Sequence, residues 1–214
     1  MNDPAADNMH MNELDRRALV RLAAAGAAML IPDVSQAQTA ERIGLVEDVK
    51  GEAFAQGRLE RRLLDRAAPV FINEMIETGV DARLRLRLGK DTTVLVGQKA
   101  RLTIDRFLAN AGGEITLESG PILYDRPAGA APARMQIRSS FGLIAVRGTR
   151  FFAGPSAGVF GVFVQYGAVV VSAAGSRVSL RAGQGTNIAQ PGSAPTPAAI
   201  WKPARVQAAL DSVA

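Results

Sequence analysis

The chain has 214 residues and a net charge of +5, a length that supports one sizeable core and falls short of two full domains. It holds no cysteine and a single histidine, so disulfides, thiolate catalysis and cysteine-held metals are excluded. Glycine is frequent at 21 residues and aromatics make up only 5%, the composition of a chain with many tight turns.

The first element is an address. Arg16 and Arg17 precede an apolar stretch from Leu22 to Ile31 that Pro32 closes, which is the layout of an export signal. Ser35 and Ala37 put small residues before a cut between Ala37 and Gln38. The apolar run is shorter than the roughly 20 residues a membrane span takes, so the chain is expected to be exported to the periplasm and cleaved, without a stable span. The paired arginines resemble a twin-arginine signal, although Asp15 and Val20 stand where Ser or Thr and Leu are usual. General secretion is the alternative route, and an ordinary amphipathic helix is the plain structural reading.

Removing residues 1–37 takes away five acids and three arginines, which leaves 22 basic and 15 acidic side chains and a net charge of +7. It also removes His10, and with it Ser-His-Asp catalysis, His-held zinc and His-ligated haem. An excess of positive charge favours anionic partners. No cofactor and no metal is expected.

From Ile43 onward, short apolar runs alternate with Gly, Asn or Asp, the pattern of an all-β fold of stacked short antiparallel strands, either a β-sandwich or a short β-helix-like stack. Ala82 to Leu88 alternates strictly, leucines on one face and arginines on the other, and Gly89-Lys90-Asp91 turns it into Thr92 to Val96. Further strands are expected at Ala100 to Ile104, Glu114 to Leu117, Met135 to Arg138, Leu143 to Val146 and Arg177 to Leu180. Val159 to Val164 and Ala168 to Val171 are apolar on both faces, so they read as two central strands covered above and below. Gly57 to Ala68, rich in arginine, reads as one or two helical turns or an exposed loop.

Gln190 to Pro197 has the composition of a linker. Beyond it, Pro203 suits a first helical turn, and Trp201, Val206, Leu210 and Val213 share one side of a short C-terminal helix that docks back on the sheet or engages a partner. The expected organisation is an export signal over 1–37, an all-β domain over 38–188, a linker over 189–200 and a helix over 201–214.

Ile144-Ala145-Val146-Arg147-Gly148-Thr149-Arg150-Phe151 resembles the signature of FecR domains, an apolar strand running into Val-Arg-Gly-Thr and an aromatic residue. Met75 to Gly79, Leu84 to Gly97, Gly167 to Val171 and Leu180 to Gly185 resemble the family's flanking elements in order. Of two departures, Gly89-Lys90-Asp91 for Asp-Gly changes turn chemistry and Ser139-Ser140 for Thr-Pro loosens a backbone constraint, and neither alters the fold expected. The resemblance covers about residues 43–188 and implies an extracytoplasmic all-β domain in a stand-alone exported form. Its best-known relatives relay a signal to a cytoplasmic sigma factor through a membrane-spanning helix, which is not expected here.

Arg147 and Thr149 are candidate ligand-binding residues, since a guanidinium grips carboxylate or phosphate through paired hydrogen bonds. The structural alternative is a strand end whose polar groups are satisfied internally. Arg83, Arg85 and Arg87, joined by Lys99 and Arg101, form a candidate platform for an anionic polymer, against a plain solvated face. Nucleic acid is disfavoured because the stripe has no interleaved aromatics. Glu74 with Glu77, and Glu114 with Glu118, are the close carboxylate pairs a glycan hydrolase would need. The expected function is a non-enzymatic periplasmic binding or scaffold domain that engages an envelope protein or an anionic envelope component. An accessory module of sigma-factor signalling and a glycan binder or hydrolase are the alternatives.

Overall fold

The computed structural model describes residues 41–58, 60–108, 111–130 and 133–214, with Arg147 described by its backbone alone. The export signal, its cut at Ala37 and Gln38, and His10 lie outside the described residues.

The chain opens with β1 (Arg42–Lys50), β2 (Ala53–Gln56), β3 (Arg61–Leu63), β4 (Pro69–Phe71) and β5 (Met75–Thr78). The arginine-rich stretch expected as helical turns or loop holds β3 instead, paired antiparallel with β2. Contacts across the strands decide this: the Arg61 guanidinium lies 3.8 Å from the centre of the Phe54 ring, and Arg62 donates to the Pro69 carbonyl at 2.7 Å and to Glu74 at 2.6 Å.

The alternating segment becomes the hairpin of β6 (Arg83–Leu88) and β7 (Thr92–Val96). Leu84, Leu86 and Leu88 are buried, each contributing about 1.5–3 kcal/mol relative to exposure, and the arginines point outward. Gly89 supplies the positive φ, 58°, that the turn requires.

After β8 (Arg101–Leu108), β9 (Gly112–Ser119), β10 (Ile122–Asp125) and β11 (Arg134–Ser139) come two strands of 15 residues each, β12 (Gly142–Ser156) and β13 (Val159–Ala173). The turn between them is Ala157–Gly158, both at positive φ, the geometry that matches strand twist. Segments 159–164 and 168–171, expected as two strands, are the two ends of β13. β14 (Ser176–Arg181), β15 (Gln184–Ile188), β16 (Ala199–Ile200) and helix α1 (Pro203–Asp211) complete the chain.

The 16 described strands belong to one sheet, and among them β9 and β11 pair parallel. The β12–β13 hairpin is its spine. The first part of β12 pairs with β11 and the last part with β10, while β13 gives its last part to β14 and its first part to β15. Two wings therefore share one hairpin. Their inner faces feed one core that runs from Ile43 to Ile188, and a single sheet encloses such a core only by curling over it, as strand twist allows.

On the outer face, one wing is covered and the other is open. Leu95, Leu123, Phe152 and Phe163 form a second apolar cluster capped by Trp201, Ala209 and Val213. Trp201 fits because Gly161 and Gly185 lack side chains: a Cβ there would come within 2.7 and 2.3 Å of its ring. The Arg205 guanidinium lies 3.7 Å from the ring centre and bonds to Ser156 and Asn187. The Pro- and Gly-rich stretch before α1 is fastened too, Thr196 bonding to Thr186 and Asn187. The other wing departs from the expectation that both segments of β13 are covered on both faces: Ala168 is exposed and Val170 is half-buried.

Candidate functional site

The signature lies at the corner where β12 passes from one wing to the other. The register moves from Arg147 opposite Ala168 to Arg150 opposite Tyr166. Val146 and Phe151 both face the core, yet they are an odd number of residues apart, so an extra residue must be absorbed in a bulge. Gly148, at φ 55°, supplies it.

Thr149 fills the ladder position that the bulge disrupts. It is fully buried; its hydroxyl donates to the Ala168 carbonyl at 3.0 Å and accepts from the Ala168 N–H at 3.2 Å. Its carbonyl accepts from the N–H of Arg126, a buried residue whose guanidinium donates to the Thr92 hydroxyl. The Thr149 hydroxyl is thus engaged by backbone, as the structural alternative to ligand binding expects of a buried bulge whose backbone groups need a partner. The Arg147 side chain lies outside the described part of the structure.

Beside the corner, Asp125, Arg150 and Tyr166 stand in one row across β10, β12 and β13. Asp125 accepts from Arg150 at 2.9 Å and from the Tyr166 hydroxyl. Partial burial, followed by that hydrogen bond and the carboxylate's charge, pushes the Tyr166 pKa up to about 12. The Arg150 Nε and the Gln165 Oε1 are buried without a hydrogen-bond partner among the described residues.

The arginine platform is dispersed. Arg83, Arg85 and Arg87 do share the outer face of β6, but Arg87 pairs with Glu47 and Arg83 donates to the backbone carbonyl of Ala214 at 3.1 Å. Arg85 is exposed and has no ion pair among the described residues. Lys99 and Arg101 do not join them, because the sheet neighbours of β6 are β1 and β7; Arg101 pairs with Glu77 at 2.5 Å across β5 and β8. The carboxylate pairs are likewise engaged: Glu74 by Arg62, Glu77 by Arg61 and Arg101, Glu114 by Arg138, and Glu118 by Arg101. Among the described residues no cluster of His, Asp or Glu could hold a metal, and no helix is long and apolar enough to cross a membrane.

A groove of about 460 Å³ crosses the open wing over β11, β12, β13 and β14. Its lining includes Arg134, Gln136, Ala145, Val170, Ser179 and Arg181. One row of the sheet aligns Arg134, Arg147, Ala168 and Arg181, and the next aligns Gln136, Ala145, Val170 and Ser179. Ala145, Ala168 and Val170 give the groove a floor of small apolar side chains, with Arg134 and Arg181 on its outer strands. Arg134 and Arg181 are exposed and carry no ion pair among the described residues; Glu114, next to Gln136 on β9, is neutralised by Arg138. Sequence reasoning missed this site because its parts lie on four strands. The one signal was the apolar run Ala168 to Val171, which reads as covered and is open on one side.

A single mixed sheet curled over its core, closed by one short helix, defines an all-β protein of a known architecture. Two solved structures of a candidate anti-sigma factor from Parabacteroides distasonis share the fold, with TM-scores of 0.53 and 0.52 at 14% and 15% identity. Each match covers 64% of this chain and 64% or 63% of that one. Residues 74–170, from Glu74 through the signature corner to Val170, match the FecR protein family. No curated protein matches the chain.

Proposed function

We propose that the protein is a non-enzymatic accessory module of a transmembrane signalling system, which acts in the periplasm by binding another envelope protein. The observation that carries this reading is the FecR match over residues 74–170, and the fold shared with a candidate anti-sigma factor supports it. The periplasmic location rests on the sequence: Arg16 and Arg17, the apolar run to Ile31 and the small residues before Gln38. A glycan hydrolase is disfavoured, since each of the four carboxylates it would draw on is held by an arginine, where such an enzyme needs two carboxyl groups facing across a sugar cleft.

The test has two parts. Fractionation with intact-mass measurement should find a periplasmic chain that begins at Gln38. Crosslinked capture from that fraction should recover a receptor or membrane regulator, and deletion of the gene should change transcription from a sigma factor's promoters. An uncut chain in the cytoplasm sinks the location, and unchanged transcription sinks the signalling role.

A further inference from the structure

We infer that the groove over β11–β14 is a docking site for an extended acidic peptide segment of a partner protein, with its carboxylates held by Arg134 and Arg181. The inference rests on the binding-module reading and adds the surface and the chemistry of the partner.

Charge and spacing argue for this occupant. Arg134 and Arg181 end one register row, three strand steps apart, which is about 14 Å at the usual interstrand distance. An extended peptide advances about 3.3 Å per residue, so carboxylates about four residues apart reach both guanidiniums. Each arginine is exposed and lacks an acidic partner among the described residues, and a guanidinium binds a carboxylate through two parallel bonds.

The floor between them excludes the other anionic occupants. Ala145, Ala168 and Val170 are small and apolar, and a polymer with a charge on every unit would set unpaired charge over them at a desolvation cost. A peptide can place an apolar side chain there instead, between its two acids. Gln136 and Ser179 flank the floor and supply side-chain donors for the peptide's carbonyls. The outer apolar cluster of the other wing is already capped by Trp201 and α1, whereas no such cap lies over this face among the described residues.

The test uses the mature chain and a fluorescein-labelled heptapeptide carrying glutamate at its second and sixth positions and valine at its fourth. Fluorescence anisotropy should report binding that the double variant Arg134→Ala/Arg181→Ala weakens at least tenfold. Ala168→Trp, which fills the groove without changing charge, should weaken it comparably. Arg85→Ala, which removes one positive charge from a strand outside the groove, should leave affinity within twofold. Far-ultraviolet circular dichroism confirms that the variants stay folded.

Equal loss in Arg85→Ala, or wild-type binding by the double variant and by Ala168→Trp, would overturn the inference. So would tight binding to phosphatidylglycerol vesicles that depends on Arg134 and Arg181 when the peptide does not bind. If the peptide fails while crosslinking still captures a signalling partner, the groove falls and the module reading stands. If the peptide binds as described while gene deletion leaves transcription unchanged, the groove stands and the signalling reading falls.

Discussion

Gly167 of β13 stands directly against Gly148 of β12: a Cβ on Gly167 would lie 2.5 Å from the Gly148 carbonyl oxygen and 2.6 Å from the Thr149 hydroxyl. The two glycines allow the spine hairpin to bulge while its strands stay paired. Both take positive φ, 55° at Gly148 and 82° at Gly167, but only Gly167 is crowded, since nothing lies within 4 Å of a Cβ placed on Gly148.

That difference predicts an unequal response to alanine. Gly148→Ala meets only backbone strain and should cost about 1 kcal/mol. Gly167→Ala adds a collision with backbone that cannot move freely, and should cost about 3 kcal/mol or more. Urea denaturation of the two variants checks the order, and equal losses would mean that the corner relaxes around a methyl group.

Thr149→Val keeps the shape of the side chain and removes the hydroxyl that bonds both backbone groups of Ala168. A buried group that loses its partner costs about 1–3 kcal/mol, so the unfolding free energy from urea denaturation should fall by that amount while the circular dichroism spectrum is unchanged. Binding of the acidic heptapeptide should also persist, because Thr149 is buried behind the groove rather than lining it.

Tyr166 predicts a pH dependence at the alkaline end. Its pKa rises from 10.0 to about 12 on folding, so its stabilising contribution is complete below pH 10 and is lost as pH climbs through the folded value. The difference in tyrosinate absorbance between the wild type and Tyr166→Phe should therefore titrate well above pH 10. Asp125→Asn removes the carboxylate that accepts the phenol's hydrogen bond and should move the titration back toward the ordinary value.

Trp201 is the chain's single tryptophan and is buried, so its emission reports on the docking of the C-terminal segment. Gly161→Val should push the indole out of its slot, where the closest ring atom would be 2.7 Å from an added Cβ. The expected result is red-shifted emission and faster tryptic proteolysis after Arg205. Trp201→Ala should cost about 3–5 kcal/mol through the cavity it leaves, seen as a lower urea midpoint.

Local chemistry alone determined much of this molecule. The alternation of Leu84, Leu86 and Leu88 with arginines specified a strand with one buried face, because side chains on a strand point to opposite sides in turn. Pro203 and the spacing of apolar residues after it specified the last helix, and the Val-Arg-Gly-Thr run marked the family. Pairing between distant segments decided the rest. The stretch 57–68 carries no strong local preference, so the contacts of Arg61 with Phe54 and of Arg62 with Glu74 made part of it a strand. Lys99 and Arg101 fell away from Arg85 because the order of strands in a sheet is not the order in sequence. Arg134, Ala168 and Arg181 share one row of the groove for the same reason: register aligns residues from separate strands, and that alignment exists only once β11, β12, β13 and β14 have paired.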